Sequence, residues 1–401
     1  MKVVVLGAGL AGVTTAWYLA QEGHEVVVID REAQVAAAGS YSATGIVAAS
    51  RAYPWAGGEL GRAMRQAALR FDPELWLWGM QHLFLRTGRS YRRLLEAKVR
   101  LVRYSQPLLH ELAREIGFTL ARGVLYLYRD GEALDEASAR AGQMRNHGFA
   151  VELLDRAQLA RREPSMDASR VAGALYAPED EAGDAARFCR DLAARCRTLG
   201  VRFSLENEIV SIEPMNGRIR EVVARNGSVQ ADAFVCALGV MDRRLREQLG
   251  THVPVYPVTG FSATLPVVQP ERAPRHAAID ESRSVAFAPM GDRLRVTGGA
   301  HFAGYARGWE PADVAPLYDT MKQLFPGAVD YTRAEVRACQ RPMTPETTPR
   351  FGTGRYQNLW FNIGLGHMGF TLAAGAGHIT AAMVCGRNPS IDLEGLRIRR
   401  H

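Results

Sequence analysis

The stretch KVVVLGAGLAG, residues 2–12, decides the fold of this chain. It begins with a run of consecutive apolar residues, Val3 to Leu6, which predicts a buried strand. Gly7, Gly9 and Gly12 follow directly, in the spacing G-x-G-x-x-G. A glycine-rich turn placed between a buried strand and a helix is typical of dinucleotide-binding folds.

The residues that follow complete this pattern. The spacing predicts a helix over residues 11–22, with Gly23 as its stop, and a second strand over residues 25–29 that ends at Asp30. Strand, helix and second strand together form one βαβ unit. We therefore predict a Rossmann-like domain at the start of the chain.

Each part of this unit has a predicted role in binding. Gly7 permits the tight turn, Gly9 lets the main chain approach a pyrophosphate, and Gly12 lets the helix pack closely on the strand. The helix N-terminus offers N–H groups and a positive dipole end to the phosphates. Asp30 can accept hydrogen bonds from ribose hydroxyls. The predicted site also includes Ala8 and Arg31.

The motif alone does not separate FAD from NAD, but two later segments favour FAD. Residues 231–239 read as a strand ending in glycine, like the late strand that rejoins the nucleotide domain of two-dinucleotide-fold flavoproteins. Residues 362–371 are glycine-rich and uncharged, like the segment of such proteins that meets the isoalloxazine ring. We therefore predict FAD as the cofactor. The expected contacts from these two segments are Gly239, Gly364, Gly366, Met368 and Gly369.

Composition limits the classes of partner. A length of 401 residues predicts roughly two domains or one large composite domain. A composition of 47% apolar and 23% charged residues is ordinary for a folded chain. The net charge of +7 is either a solvated surface or an attraction to an anionic membrane or substrate. No dense basic run interleaved with aromatic residues occurs, so a nucleic-acid partner is not expected.

The cysteines and the apolar segments indicate the cellular compartment in which the protein is expected. The five cysteines contain no C-x-x-C pair, which argues against a disulfide framework or a metal site and favours a reducing cytoplasm. Glycines follow Leu6 at once, so no signal peptide is expected. Residues 358–386 lack Asp, Glu, Lys and Arg, yet their many glycines favour a loop feeding a buried helix over a membrane span.

Local patterns predict the other elements. Helices are expected over most of 60–120 and over 132–145 and 185–199. Strands are expected over 121–128, 201–212, 218–225, 228–236, 254–265 and 284–300. Tight turns are expected at Asn216-Gly217, Asn226-Gly227 and Gly291-Asp292.

Several segments together carry a family resemblance. They are Gly23-His24-Glu25-Val26, Asp180-Glu181, Val255-Tyr256-Pro257 with Gly260, and Arg341-Pro342-Met343-Thr344-Pro345. The last two are the most specific. On these residues, and along nearly its whole length, the chain resembles the small subunit of D-amino acid dehydrogenases. That family lies within the superfamily of D-amino acid oxidase and glycine oxidase.

The resemblance implies a fold and a chemistry. The implied fold is α/β: a discontinuous Rossmann-like FAD-binding domain (1–75, 165–245 and 335–401) with an interleaved α+β substrate domain (76–164 and 246–334) on a mostly antiparallel sheet. The implied activity is oxidative deamination of small D-amino acids to 2-oxo acids and ammonia, with hydride transfer from Cα to flavin N5. The electrons would pass to quinone or another respiratory acceptor. Further expected FAD contacts are Ser42, Gly45 and Val210.

The expected substrate residues follow from the same resemblance. Arg341 is the candidate for the substrate carboxylate, because guanidinium makes a planar two-point contact; the alternative is pairing with a surface carboxylate. Tyr256 either caps the same carboxylate or packs between domains. His367 either contacts flavin or substrate or is structural, and Tyr53 and Tyr305 are candidates for a lid.

The chain also departs from the family pattern. Ala43 stands where Asn is frequent, Cys339 where the family has Gly, and His301 where Glu is frequent. The C-terminal Gly-His-Gly becomes Gly364-Leu365-Gly366, with histidine at His367 instead. These positions are expected where flavin and substrate meet, so they bear on substrate choice more than on the cofactor.

Three questions stay open at this point. A glycine, sarcosine or proline-type oxidase using oxygen is one alternative, and a flavin- or nucleotide-binding sensor without turnover is another. Lysine occurs only at Lys2, Lys98 and Lys322, so no lysine is expected beside the flavin, which favours a dehydrogenase. The stretch from Leu75 to Trp78, followed by arginines, is either a peripheral contact with the inner membrane or a core helix.

Overall fold

The computed structural model describes residues 1–52, 72–85, 88–251, 253–306 and 308–398. Within these ranges the strands β1 to β18 are Lys2–Leu6, Glu25–Ile29, Ile46–Val47, Ala121–Tyr128, Glu152–Asp155, Gly173–Ala182, Arg202–Ser204, Ile209–Met215, Arg218–Ala224, Gly227–Gln230, Ala233–Cys236, Tyr256–Pro266, Ala277–Asp280, Val285–Met290, Arg293–His301, Glu335–Met343, Arg350–Thr353 and Leu359–Ile363. The helices α1 to α9 are Leu10–Gln21, Pro73–Leu85, Gly88–Glu115, Gly131–Asn146, Arg156–Arg162, Ala185–Thr198, Arg243–Leu249, Pro311–Leu324 and Gly369–Val384.

A six-stranded sheet carries the N-terminal βαβ unit. Its strand order is β17-β18-β11-β1-β2-β7, and all neighbours are parallel except the pair β17 and β18. β1 lies between β2 and β11, with Val5 paired to Val28 on one side and to Val235 on the other. The predicted βαβ unit and the predicted late strand that rejoins this domain are both confirmed.

Two helices close one face of this sheet. In α1 the hydroxyl of Thr14 donates to the carbonyl oxygen of Ala373 in α9 at 2.8 Å, and a Cβ at Gly377 would lie 2.7 Å from the Thr14 backbone. α9 is almost wholly buried. The charge-free segment 358–386 is thus a strand, a loop and a buried helix, as predicted. Across the part of the chain that the structure describes, no helix is long and apolar enough to cross a bilayer.

A second, larger sheet is mostly antiparallel. Its order is β16-β12-β15-β14-β13-β4-β6-β3, with β5 beside β6, and only β13 and β4 run parallel among its pairs. α8 packs on it, and its Leu317 and Met321 join Phe261 and Phe287 in a buried apolar cluster. The predicted hairpin over 284–300 is confirmed as β14 and β15, with Gly291 at φ +68° in the turn.

Two predicted strands are wrong because the chain changes sheets within them. Residues 228–236 split into β10, which joins a small antiparallel sheet with β8 and β9, and β11, which joins the parallel sheet. Asp232 lies at the break, and its carboxylate accepts a hydrogen bond from the Lys2 N–H at 2.7 Å. Residues 201–212 likewise split into β7 and β8, with Glu206 at φ +49° between them.

The long helical region is confirmed where it is described. α2 and α3 cover most of 73–115, and Gly117 follows at φ +63°. The rest of the prediction over 60–120 lies partly outside the described residues, as does Tyr53. The domain boundaries remain a prediction. They assign β6 and β16 to the FAD-binding domain, although both strands form hydrogen bonds within the large sheet.

Candidate functional site

A cavity of about 1160 Å³ lies where the two sheets meet. It exceeds the usual size of a small-ligand pocket, so it can hold a dinucleotide and a small substrate together. Most of the predicted site residues line it: Gly7, Ala8, Gly9, Asp30, Arg31, Ser42, Gly45, Val210, Gly239, Arg341, Gly364, Gly366, His367, Met368 and Gly369. Gly12 and Tyr256 do not.

The glycine turn after β1 has the shape that a diphosphate requires. Gly7 has φ +109°, and a Cβ there would lie 2.8 Å from the Ala237 carbonyl oxygen. A Cβ at Gly12 would lie 1.8 Å from the Gly7 carbonyl oxygen. Gly12 is therefore a packing residue beneath the turn, in agreement with its predicted role. Gly9, Leu10 and Ala11 line the cavity, so the positive end of α1 faces it. The first turn of α1 contains no acidic residue that would offset this charge.

Asp30 and Ser40 hold the turn from the other side. One oxygen of Asp30 accepts the Ala8 N–H at 2.6 Å and the other accepts the Glu32 N–H at 2.9 Å. Burial raises the pKa of Asp30, and the two backbone hydrogen bonds oppose that rise. Each carboxylate oxygen retains a second lone pair for a ribose hydroxyl. Ser40, which sequence reasoning missed, accepts the Leu10 N–H at 3.1 Å.

These features fit FAD. A glycine-rich turn, a helix N-terminus and an acid at the end of β2 line one cavity, and these are the parts that a dinucleotide needs. At the other end of the cavity, the segment from Gly364 to Gly369 leads into α9. A Cβ at Gly366 would lie 2.9 Å from the Met343 sulfur, so only a residue without a side chain fits against β16 there.

Ser42, Gly45 and Val210, which are also predicted to contact FAD, differ in how deeply they are buried. Ser42 is buried, whereas Val210 is half exposed. Gly45 packs against the chain before α6, since a Cβ there would lie 1.9 Å from the Gly183 carbonyl oxygen. All three line the cavity, and their contacts with FAD remain a prediction.

Arg341 extends across the large sheet. Its strand β16 pairs with β12, where Gly260 lies nearby. A Cβ on Gly260 would lie 2.3 to 2.6 Å from the guanidinium nitrogens of Arg341. One of these nitrogens, Nη1, donates to the carbonyl oxygen of Gly299 on β15 at 2.7 Å. The missing side chain at Gly260 thus lets the guanidinium lie flat over the strands, with donors left for a carboxylate in the cavity.

His367 is surrounded by positive charge. Burial lowers its pKa well below the usual value, and the charges of Lys98, Arg51 and Arg341 lower it further. Lys98, on α3, is completely buried. Lys98 does not line the cavity, although its charge affects His367. The expectation that no lysine lies beside the flavin therefore remains a prediction.

The shifted pKa of His367 predicts an acid sensitivity. Between the pKa of the folded state and about 6.5, the unfolded chain binds a proton at this residue that the folded chain does not. The free energy of unfolding should therefore fall as pH drops below 6.5, by up to about 1.4 kcal/mol per pH unit from this residue. The free energy of unfolding is measured with urea at pH 7.5 and pH 5.5. The difference between these two values should be smaller for His367→Asn than for the parent chain. An unchanged difference, or an equal change in the control His147→Asn, would contradict this assignment.

Tyr256 does not line the large cavity. It is buried, and its hydroxyl donates to Asp72 and accepts from the Gly304 N–H, both at 3.0 Å. Burial and the nearby Asp72 carboxylate raise its pKa. Its ring lies 6.3 Å from that of Trp78. These contacts match the alternative in which Tyr256 packs between elements. Tyr305, the second lid candidate, contacts Glu74 through its hydroxyl.

Sequence reasoning also missed an ion pair that lines the cavity. Arg51 and Glu281 line the cavity and lie 3.0 Å apart. The turn that carries Arg51 is fixed by the buried Asp180, which accepts the Ser50 N–H at 3.0 Å and the Tyr126 hydroxyl at 2.6 Å. Arg51 and Glu281 are more than two hundred residues apart in sequence, so no local pattern indicates that they meet.

The departures from the family pattern also line this end of the cavity. Ala43, His301, Cys339 and Leu365 are all lining residues. The His301 ring packs edge-on against Phe261, and its Nδ1 lies 3.7 Å from a carboxylate oxygen of Asp313. The chain therefore differs from the family pattern at four positions that line the cavity.

Comparison with known proteins agrees with this geometry. The sequence model of the DAO family, described as FAD dependent oxidoreductase, matches residues 2–383. A D-amino acid dehydrogenase of Rhizorhabdus wittichii is 39% identical, with all of both chains covered. A D-amino acid dehydrogenase of Paramagnetospirillum magneticum is 36% identical over 100% of this chain and 99% of the relative.

Solved structures share the fold at low identity. Glycine oxidase from Geobacillus kaustophilus superposes with a TM-score of 0.78 at 20% identity, covering 100% of this chain and 99% of its own. L-proline dehydrogenase from P. horikoshii gives a TM-score of 0.75 at 17% identity, covering 98% and 95%. These likenesses establish the architecture only. The predicted fold class, an α/β FAD-binding fold, is confirmed.

Proposed function

The chain belongs to the DAO family of FAD-dependent oxidoreductases, and on this basis we propose that it is a dehydrogenase of D-amino acids. The products would be a 2-oxo acid and ammonia. The full-length relatives named D-amino acid dehydrogenase support this assignment. The main structural support for the assignment is the position of Arg341. Its guanidinium packs against Gly260 and lines the same cavity as the glycine turn.

The cofactor of this chain is FAD, and the residues that would hold it are already described. The glycine turn and the α1 N-terminus would bind the diphosphate, Asp30 the ribose, and the loop 364–369 the ring end. When bound, FAD accepts a hydride from the substrate carbon, which is chemistry that protein side chains cannot supply.

The protein's own contribution is orientation and electrostatics. Arg341 would bind the substrate carboxylate through two parallel N–H···O bonds and so fix which face of Cα meets the cofactor. The positive charges of Arg341, Arg51 and Lys98 near His367 disfavour a protonated substrate amine. A neutral amine is the form that can release hydride, so no strong base is needed in this pocket.

A substrate screen tests the proposal against its alternatives. The purified protein is mixed with D-alanine, L-alanine, glycine, sarcosine and L-proline, with a redox dye as acceptor and a separate assay for peroxide. We expect dye reduction with D-amino acids and little peroxide. Peroxide formed in step with glycine or sarcosine turnover would favour the oxidase alternative. Failure of every amine to reduce bound FAD would favour the sensor.

We also propose that the acceptor is a membrane quinone, reached by peripheral contact with the inner membrane from the cytoplasmic side. α2 supports this, because one side of it exposes large apolar residues that include Trp76 at 60% and Phe84 at 72%. The start of α3 adds exposed arginines, Arg89, Arg92 and Arg93. An exposed apolar face beside cations suits an anionic lipid surface. Arg86 lies outside the described residues.

The two tryptophans of α2 have different roles, which makes the membrane contact testable. Trp78 is buried, and its indole N–H donates to the Met343 carbonyl oxygen at 2.9 Å. Replacing it should destabilise the fold by about 3–5 kcal/mol. The double variant Trp76→Ser, Phe84→Ser should keep the fold and reduce binding to anionic vesicles by about tenfold or more.

Co-sedimentation with vesicles of anionic and of neutral phospholipid measures this effect. The control is Val268→Ser, an exposed apolar residue in another part of the chain. Unchanged sedimentation of the folded double variant would refute the membrane contact on α2.

A further inference from the structure

The turn between β13 and β14 brings a second arginine, Arg283, to the wall of the cavity that Arg341 lines. The buried carboxylate of Asp280 holds this turn, because it accepts the Arg283 N–H at 3.2 Å and the Arg129 Nε–H at 2.8 Å. The first residue of the turn, Glu281, donates its N–H to a carbonyl oxygen of β4 at 3.0 Å. The main chain that carries Arg283 is therefore fixed by the protein itself.

The side chain of Arg283 has no partner in the protein. Its guanidinium forms no ion pair, hydrogen bond or ring contact with any residue that the structure describes. It is half-buried, and none of its nitrogens is cut off from solvent. The nearest carboxylate in sequence, that of Glu281, is paired with Arg51 at 3.0 Å. Arg283 therefore presents an unpaired charge and unused donors at the cavity wall.

Arg341 and Arg283 meet neighbouring strands of the large sheet. Arg341 Nη1 donates to the carbonyl oxygen of Gly299 on β15 at 2.7 Å. The preceding residue, Gly298, packs against the turn of Arg283, since a Cβ there would lie 3.2 Å from the Ser284 carbonyl oxygen. Neighbouring strands lie about 4.8 Å apart. One small molecule can therefore contact both arginines.

The charge of this part of the wall favours an anionic ligand. Arg341, like Arg283, forms no ion pair with a described residue. The other carboxylate of this part of the wall, that of Asp313, accepts the Glu310 N–H at 2.8 Å. Guanidinium groups bind carboxylates through two parallel hydrogen bonds. Two unpaired guanidinium groups on one wall thus complement two carboxylates better than one carboxylate and an apolar side chain.

We propose that Arg283 selects D-amino acids with a carboxylate in the side chain, namely D-aspartate and D-glutamate. Arg341 binds the α-carboxylate of such a substrate, and Arg283 binds the side-chain carboxylate. The proposal rests on the proposed dehydrogenase function and names the substrate class of the same site. D-Alanine has no second carboxylate, so it uses Arg341 alone and reacts less efficiently.

Steady-state kinetics with D-glutamate and D-glutamine test the selection, because these substrates differ in charge but little in size. We expect kcat/KM of the parent chain to be about tenfold or more higher for D-glutamate. Arg283→Gln should remove most of this preference, and Arg283→Glu should reverse it, so that D-lysine is preferred to D-glutamate. The control is Arg272→Gln, which removes an exposed arginine that does not line the cavity.

Equilibrium dialysis measures the same selection without turnover. The probes are glutarate and pentanoate, which have chains of equal length and differ by one carboxylate. We expect the FAD-loaded parent chain and Arg272→Gln to bind glutarate about tenfold more tightly than pentanoate. Arg283→Gln should bind the two probes about equally. Arg283→Lys, which keeps the charge but lacks the planar contact, should bind glutarate about threefold more weakly than the parent chain.

The outcomes separate this proposal from the proposed function. Equal binding of glutarate and pentanoate by the parent chain would overturn the role of Arg283, whether or not a variant folds. A preference for D-glutamate that folded Arg283→Gln retains in full would also overturn it. Absence of bleaching by every D-amino acid would instead refute the dehydrogenase function, and the dialysis would still test the anion site at Arg283.

Discussion

Replacing Arg341 by methionine is expected to lower kcat/KM for D-amino acids by about 10²- to 10³-fold, with FAD affinity changed by less than about twofold. Methionine keeps an unbranched apolar side chain over Gly260 but removes every N–H donor that faces the cavity. The loss follows from leaving the substrate carboxylate without its charged hydrogen-bonding partner. The kcat/KM of Arg341→Lys should lie between those of the parent chain and Arg341→Met, because an ammonium group retains the charge but lacks the planar two-point contact.

Steady-state kinetics and FAD titration of the same preparations check this result. The control is Arg333→Met, an exposed arginine paired with Asp330 outside the cavity. Equal losses of FAD binding and of substrate binding in Arg341→Met would remove Arg341 from the substrate site and leave it a structural role.

The second large effect is expected at Gly12. A Cβ there would lie 1.8 Å from the Gly7 carbonyl oxygen and 2.9 Å from its carbon, both main-chain atoms that cannot move aside by a side-chain rotation. Gly12→Ala should therefore push α1 away from the turn and separate the N–H groups from the diphosphate. We expect protein that either binds FAD at least about 100-fold more weakly or comes out colourless.

The matched control is Gly142→Ala, within α4, where an added Cβ meets nothing within 4 Å. That variant should keep its yellow colour and gain a little stability, because alanine favours helix over glycine. Circular dichroism separates loss of FAD from loss of fold in Gly12→Ala. Full FAD content in a folded Gly12→Ala protein would contradict the description of the turn.

The parts of this molecule that sequence predicts well are local. Residues 2–30 contain a buried strand, a glycine turn, a helix stop and a terminal acid in one short segment, and each follows a rule of backbone or helix chemistry. The hairpin around Gly291 and the buried helix after the charge-free loop are local in the same sense.

The errors and the alternatives left open arise where the outcome depends on distant partners. Asp232 ends β10 because the start of β1, more than two hundred residues earlier, supplies its hydrogen bonds. Tyr256 begins a strand that is buried on both faces, so alternation does not tell which cavity its ring meets. Lys98 lies inside because α9 and the turn at Arg51 cover its helix. None of these contacts has a local sequence signal.

The candidate site shows the same division. Most residues predicted for FAD come from local motifs, whereas Ser42, Gly45 and Val210 come from the family resemblance. Nearly all of these residues line one cavity. The proposed substrate end is assembled from three elements: β16 carries Arg341, the turn after β3 carries Arg51, and the β13–β14 turn carries Glu281. Family resemblance predicted only the first of these, since the other two depend on pairing across the large sheet.

The central claim is that D-amino acids, held by Arg341, reduce the FAD that this chain binds. The most direct test is an anaerobic titration of the yellow protein with D-alanine, followed by its visible absorbance, with pyruvate and ammonium measured afterwards. We predict complete bleaching at about one D-alanine per FAD, with pyruvate and ammonium formed in equal amounts, and no bleaching by L-alanine. A spectrum that stays oxidised with D-alanine and every other D-amino acid, in protein that has its full complement of FAD, would contradict the account.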